Sequence, residues 1–332
     1  MTQKLAHRQH PIGSGFTASS TAEEVLAGID LTGREVVVTG GHSGLGWEAT
    51  RALSRAGASV TVGSRDPDRA AVALAGIERV TVDRLDLLDP DSIDAFASRY
   101  AGSGRSLHIL LNNAGLPVPR ELQRDARGYE AQFATNHLGH FQLTLGLLSA
   151  LRAARGARVV NTTSGAQRFS DILWDDPNFR TTPYDPILAY AQSKTANVLF
   201  AVELDRRWSA DAIRGYAAHP GVVVGTGLND AAGDEARRAQ GLIDDAGRPI
   251  IDPAHGKKTV PQGASTIVFG AVSPVLANIG GVYLKDNDIS LLDDEPRPMS
   301  PVEPPSEIMS HSIDPRSARR LWELTERLLD EI

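Results

Sequence analysis

The chain has 332 residues, 41 % of them hydrophobic, and a formal charge of −7, enough to bury a sizeable core and near the upper limit of one α/β domain. No basic stripe is present that could follow a phosphate backbone, which argues against a nucleic-acid partner, and the absence of cysteine excludes disulfides and thiolate metal sites. No apolar run reaches the roughly 18 residues that span a bilayer, and no secretory pattern follows the charged start MTQKLAHRQH. The expectation is a soluble, cytoplasmic protein whose partner is a small organic molecule.

Residues 1–30 read as an N-terminal extension packed on the domain edge, with Ser20 and Glu23 spaced as a capping box that opens a short helix. From Arg34 to His219, short β-branched runs alternate with amphipathic stretches, the rhythm of a parallel sheet covered on both faces. Strands are expected at 35–39, 59–63, 80–83, 109–112, 158–163 and 214–219, with a last one near 281–284. The best-marked helices are 44–56, 129–153 and 189–208. This predicts an α/β doubly wound parallel sheet, a single domain over 31–290 with insertions, binding ligands at the carboxyl ends of its strands. Residues 227–262 are rich in Gly, Asp and Pro and read as a long connection serving as a substrate lid. Residues 291–332 form a C-terminal tail ending in a packing helix, with Leu321, Leu324, Leu328 and Leu329 at helical spacing.

After the first strand comes Thr39-Gly40-Gly41-His42-Ser43-Gly44-Leu45-Gly46, opening a helix. Glycines allow a tight turn and close approach to a pyrophosphate, and the helix N-terminus attracts phosphate. Such a loop alone also serves as a plain turn; its place on the first strand of an alternating run makes it a nucleotide loop. The second strand ends in Gly63-Ser64-Arg65-Asp66, where an acidic side chain would hold the adenosine ribose hydroxyls. Ser64 takes that position, and the Arg65 fork next to it suits a 2′-phosphate, favouring NADP(H). Asp66 on the ribose would instead give NAD(H), although Asp66-Pro67 also reads as a helix start.

Tyr190 and Lys194 lie four apart in AYAQSKTANVLF and so share a helix face. An ammonium beside a phenol stabilises the phenolate and brings proton transfer toward neutral pH. With six Tyr in the chain, chance would give such a pair in roughly one similar sequence in ten, so the pair needs company. Ser164 supplies it: the residue ends the strand run RVVNTTS at the edge where ligands bind, and its hydroxyl can hold a substrate oxygen against the tyrosine. His137 and His140, three apart, lack a third metal ligand in the sequence and read as packing or solvent-facing residues. The sequon at Asn161 falls on a buried strand and is discarded.

Taken together, TGGHSGLG at 39–46, LDL at 85–87, LNNAG at 111–115, Asn136 in TNHLGHF, Ser164 in VVNTTSG, YAQSK at 190–194 and HPGVV at 219–223 resemble the short-chain dehydrogenase/reductase family, with its Rossmann fold. The long stretch between Ser164 and Tyr190 is similar to the branch holding retinol dehydrogenase-like and WW-domain oxidoreductase-like proteins. The resemblance implies a carbonyl reductase or alcohol dehydrogenase with Tyr190 as general acid/base, Ser164 as the substrate-oxygen anchor, Lys194 on the nicotinamide ribose and Asn136 supporting a proton relay. It also implies that Gly40, Ser43, Gly44, Leu45 and Gly46 cradle the phosphates and that Asp86 and Leu87 meet the adenine. Asn113, Ala114 and Gly115 would line the cofactor, and Pro220, Gly221 and Val222 with Thr226 would border the nicotinamide. Around Thr226 the spacing is one residue longer than the family pattern. The Asp175-Asp176 pair and Trp174 read as a turn-held exposed loop in preference to a substrate mouth. The family implies a small-molecule carbonyl or alcohol substrate and a possible homodimer. The alternatives to weigh are a catalytically silent nucleotide-binding scaffold or sensor, and a C=C reductase or epimerase on the same fold.

Overall fold

The computed structural model describes residues 8–225, 233–298, 300 and 302–330. In chain order the main elements are α1 (Ala22–Leu26), β1 (Glu35–Thr39), α2 (Gly44–Arg55), β2 (Ser59–Ser64), α3 (Pro67–Ala73), β3 (Val80–Arg84), α4 (Pro90–Gly102), β4 (Ile109–Asn112), α5 (131–146), α6 (Leu148–Ala153) and β5 (Ala157–Thr162). There follow α7 (Pro186–Trp208), β6 (Ile213–His219), β7 (Val222–Val223), α8 (Asp234–Ala239), β8 (Lys257–Lys258), α9 (Val260–Val272), β9 (Val282–Lys285), β10 (Asp288–Ile289), α10 (Ser310–Ile313) and α11 (Pro315–Asp330).

The strand order is β10-β9-β6-β5-β4-β1-β2-β3. Every neighbouring pair is parallel except the β9–β10 hairpin. This is the expected doubly wound sheet, and β1 shows why its sequence is an unbroken apolar run. Val36 and Val38 pack with Leu53 of α2 and Phe269 of α9, whereas Val37 faces Phe96 of α4, Phe141 of α5 and Phe200 of α7. A strand buried on both faces has no polar side to alternate with.

Helix starts are written locally. Asp66, Asp89 and Asp185 each stand at the N-cap ahead of a proline, with the carboxylate accepting from a first-turn N–H, where proline loses no hydrogen bond. The capping box near the N-terminus is formed by Thr21 and Glu24, one residue beyond the expected pair. Glu23 is drawn off to Arg51 and Arg55, at 2.8 Å from each. The N-terminal extension is stitched to the sheet edge: Gln9 exchanges hydrogen bonds with Tyr283, and Asp288 accepts from the N–H groups of residues 12–14.

The helix expected at 129–153 is interrupted. Residues Ala134–Leu138 form π-helical turns inside α5, and the helix breaks again at Leu147 before α6. The helix packs closely on the loop after β3: a Cβ on Gly139 would collide with the carbonyl of Leu87. Within the expected lid, residues 233–258 carry α8 and return to the sheet through the β7–β8 ribbon; α9 begins earlier than the anticipated end at 262, on a Thr259–Gln262 capping box. The terminal helix α11 buries Leu321 and Leu328, and its Trp322 packs on Phe141, Phe200 and Trp208 with ring centroids 4.7, 5.8 and 5.4 Å apart.

Candidate active site

The glycine loop closes because its neighbours leave no room for side chains. Gly40 has φ +64, and a Cβ there would sit 3.2 Å from the Ala114 methyl. One on Gly46 would strike the Gly40 carbonyl and lie 2.6 Å from Asn113 Nδ2. Gly46 therefore packs behind the loop instead of lining the cleft. Ser43 caps α2 without a side-chain hydrogen bond, so the first-turn N–H groups are not satisfied by their own N-cap residue. Thr39 Oγ1 accepts from Asn113 N and Ala114 N, each at 2.9 Å, locking the ends of β1 and β4 together.

A cleft of about 550 Å³ runs along this carboxyl edge, within the usual range for ligand sites. Its lining includes Gly40, Ser43, Gly44, Leu45, Ser64, Arg65, Asp86, Leu87, Asn113, Ala114, Gly115, Tyr190, Lys194 and Pro220. Sequence reasoning missed His42 and Arg69 at one end and Leu116 and Pro117 among the other lining residues. Arg69 stands in the first turn of α3, four residues after Arg65, which precedes the helix cap. The Asp66 carboxylate accepts from Arg69 N at 3.1 Å as the α3 cap, and the Ser64 hydroxyl turns to the backbone of residue 66. His42 is held below the usual imidazole range by burial and by the charges of Arg69 and Arg65, against the pull of Asp66. Gly221 and Val222 turn away from the cleft: Val222 pairs with Lys257, and a Cβ on Gly221 (φ +82) would be 2.9 Å from the Gly256 carbonyl. Thr226 lies outside the described residues.

At the chemical end, α7 is bonded to the end of β5: Thr163 Oγ1 donates to Lys194 O at 2.8 Å and Asn197 Nδ2 to Thr162 O at 3.0 Å. Tyr190 is half-buried as a residue, with its hydroxyl deep enough that burial pushes the phenol up while a hydrogen bond with Ser164 works in the other direction. Ser164 Oγ also accepts from Ala166 N at 3.2 Å. Lys194 is 6 % exposed; burial lowers its ammonium to about 8, and its Nζ donates to Thr162 O at 3.3 Å. The ammonium stands 5.5 Å over the centroid of the Tyr190 ring. Burial acts most strongly on Tyr190, and the ammonium faces the ring.

Asn136 sits in the π-helical turns, fully buried. Its amide donates to Ser193 Oγ at 2.9 Å and accepts from Leu116 N at 3.3 Å, joining α5, α7 and the loop after β4. His140 and His137 serve packing networks. His140 bridges Thr39 Oγ1 (2.8 Å) and the Asn136 carbonyl (3.1 Å), and His137 meets Thr325 Oγ1 at 2.8 Å. Among the described residues no three His, Asp or Glu side chains form a metal-binding group. Asp176 holds its loop by accepting from the N–H groups of residues 180–182, and Asn161 is buried in β5.

A family model described as short chain dehydrogenase matches residues 34–237, and the chain belongs to the short-chain dehydrogenase/reductase family, an oxidoreductase family. It is 44 % identical over 301 residues to a probable oxidoreductase of Streptomyces lividans, covering 89 % of this chain and 97 % of that protein. It is 34 % identical over 330 residues to the WW domain-containing oxidoreductase of Danio rerio, covering 95 % of this chain and 73 % of that protein. Among solved structures it is similar to an uncharacterized protein from Mycobacterium paratuberculosis, at TM-score 0.69 and 30 % identity over 91 % of this chain and 96 % of that one.

Proposed function

We propose that this protein is an NADP(H)-dependent oxidoreductase that moves a hydride between the nicotinamide and a carbonyl or alcohol carbon, with Tyr190 as general acid/base. One observation carries the reading: Tyr190 opens with Lys194 onto the same cleft as the glycine loop. The cleft suits a dinucleotide. Gly40 and Gly46 stand where a Cβ would foul the loop, the α2 N-terminus offers amides to phosphate, and Arg65, Arg69 and His42 gather at one end. Two guanidinium forks there favour a 2′-phosphate, while Asp66, which would compete for the ribose, is engaged as a helix cap.

The bound nucleotide supplies or accepts the hydride; the remaining work belongs to the chain. In reduction the Tyr190 hydroxyl donates its proton to the carbonyl oxygen. Burial keeps the phenol protonated at neutral pH, the form that reduction requires. Ser164 hydrogen-bonds the same oxygen and so orients the carbonyl against the phenol. Lys194 would hold the ribose hydroxyls of the bound nucleotide, and Asn136 keeps α5, α7 and the loop at Leu116 in register. Of the expected lid at 227–262, residues 227–232 lie outside the described residues; residues 233–258 would act as the lid. A homodimer built on the outer faces of α5 and α7 would meet α11, whose Trp322 already covers Phe141 and Phe200.

The test combines Tyr190→Phe with nucleotide thermal shifts. Turnover of NADPH against a panel of aldehydes and ketones falls by about 10²- to 10⁴-fold, and stabilisation by NADPH persists. Wild-type turnover in Tyr190→Phe overturns the mechanism. Equal stabilisation of the parent protein by NADPH and NADH, or an Arg65→Ala/Arg69→Ala variant with unchanged preference, overturns the cofactor assignment. NADPH binding by the parent without oxidation across the panel would favour a silent scaffold.

A further inference from the structure

Ser164 follows β5 in an extended conformation, with φ −153 and ψ 155, and stands at the N-cap of the turn at Gly165–Phe169, its Oγ accepting from Ala166 N. Its Cα–Cβ vector is set by the peptide that follows, because a planar peptide couples the orientation of the Gly165 N–H to the ψ angle of Ser164. That N–H is captured: it donates to His219 Nδ1 at 3.2 Å from the end of β6. A ring nitrogen that accepts an N–H carries a lone pair, so the imidazole proton resides on Nε2 and the ring is neutral.

His219 is itself immobilised. It is 5 % exposed and lies nearly parallel to Tyr283, at 18° and a centroid distance of 6.2 Å. The Tyr283 hydroxyl donates to Ser306 O at 2.8 Å. Burial, Lys285 and Lys258 disfavour an imidazolium and outweigh Asp286 and Glu307, lowering His219 to about 3, so the acceptor survives across the working pH range. The far side of Gly165 is closed by the same C-terminal strap, since a Cβ there would stand 3.0 Å from Pro305 O and from the Ser306 Cα. The following turn is latched to that strap by Arg168, which donates to the carbonyls of Asp293, Glu307 and Glu295 at 2.8, 2.9 and 2.7 Å.

We infer that His219 is a positioning residue for Ser164: its neutral imidazole, clamped by Tyr283 and the C-terminal strap, grips the Gly165 amide and thereby aims the serine hydroxyl at the reacting oxygen. The inference rests on the oxidoreductase reading above. It explains why the residue before Pro220 is a histidine, packed behind the site and outside the cleft lining, with no carboxylate hydrogen-bonded to it among the described residues.

A kinetic double-mutant cycle tests it, read as NADPH oxidation with the best aldehyde or ketone of the panel. His219→Phe keeps a ring against Tyr283 and removes the acceptor. We expect kcat to fall by roughly 10- to 100-fold, the scale of a misplaced catalytic group, with NADPH stabilisation unchanged. In a Ser164→Ala background the same substitution should change kcat less than about twofold, because residues acting through one group are not additive. His219→Gln, whose amide oxygen can accept from the same N–H, should recover kcat to within about threefold of the parent. The inference is overturned by full activity in His219→Phe, by an equal loss in both backgrounds, or by no recovery with glutamine. Should the phenylalanine variant not fold, the glutamine variant carries the cycle: near-parent kcat supports the inference, and a tenfold loss that persists beside Ser164→Ala overturns it. Failure of the parent reading looks different, since Ser164→Ala and Tyr190→Phe would then leave turnover intact.

Discussion

Gly46→Ala separates a nucleotide loop from an ordinary turn. Gly46 lies in α2, where alanine is favoured over glycine by about 1 kcal/mol, and its φ carries no left-handed strain. Steric contact opposes this gain. The new methyl would overlap the Gly40 carbonyl and sit 2.6 Å from Asn113 Nδ2. Neither can swing aside, because Gly40 N is tied to Gly63 O at 2.9 Å and Asn113 to Thr39 through bonds of 2.9 and 3.2 Å. Overpacking against fixed backbone costs about 1–3 kcal/mol, so the net change runs from near zero to about 2 kcal/mol, or a Tm lower by up to roughly 3 °C. Relief comes from moving the α2 N-terminus away from the loop, which parts the amides that would meet phosphate. NADPH affinity should fall about 10- to 100-fold, equivalent to roughly 1.4–2.8 kcal/mol. Calorimetric titration with NADPH and thermal melts measure both quantities. Gly102→Ala at the end of α4, where nothing lies within 4 Å, is the control and should stabilise by up to about 1 kcal/mol without touching affinity. Unchanged NADPH affinity in Gly46→Ala would refute the reasoning.

Two further predictions concern buried charge. Lys194, lowered to about 8 from 10.5, binds its proton less tightly folded than unfolded, so stability rises with pH between about 8 and 10.5 and the burial penalty is largest below 8. Lys194→Met should therefore raise Tm at pH 7 while turnover collapses, and its advantage should vanish toward pH 10.5 in melts across that range; a lower Tm at pH 7 would contradict this. His137, His140 and His219 are lowered to about 3, 4 and 3. The unfolded chain thus takes up their protons first, and stability should drop as pH falls from about 6.5 toward 4. A Tm flat over that interval would show that they are not buried neutral.

Much of the site was legible because its determinants are local. A glycine run after an apolar strand, Asp-Pro helix starts, and Tyr190 and Lys194 four apart on one helix are set by backbone sterics and helical period, both functions of nearest neighbours along the chain. The alternation of strands and helices likewise carried the doubly wound sheet, since a strand buried on both faces must be apolar throughout. Other features were settled only when distant segments met. Thr21 rather than Ser20 caps α1, as Glu23 is claimed by Arg51 and Arg55. His42 and Arg69 join Arg65 at one end of the cleft, and α5 contains π-helical turns at Asn136. The Lys194 ammonium lies over the Tyr190 ring, an outcome of how α7 seats on β5 that an i, i+4 spacing does not specify. His219, more than fifty residues from Ser164 in the chain, reaches its neighbour because β5 and β6 pair in parallel register. Sequence spacing determines what shares a turn or a face; which faces close on one another is decided by packing across the sheet.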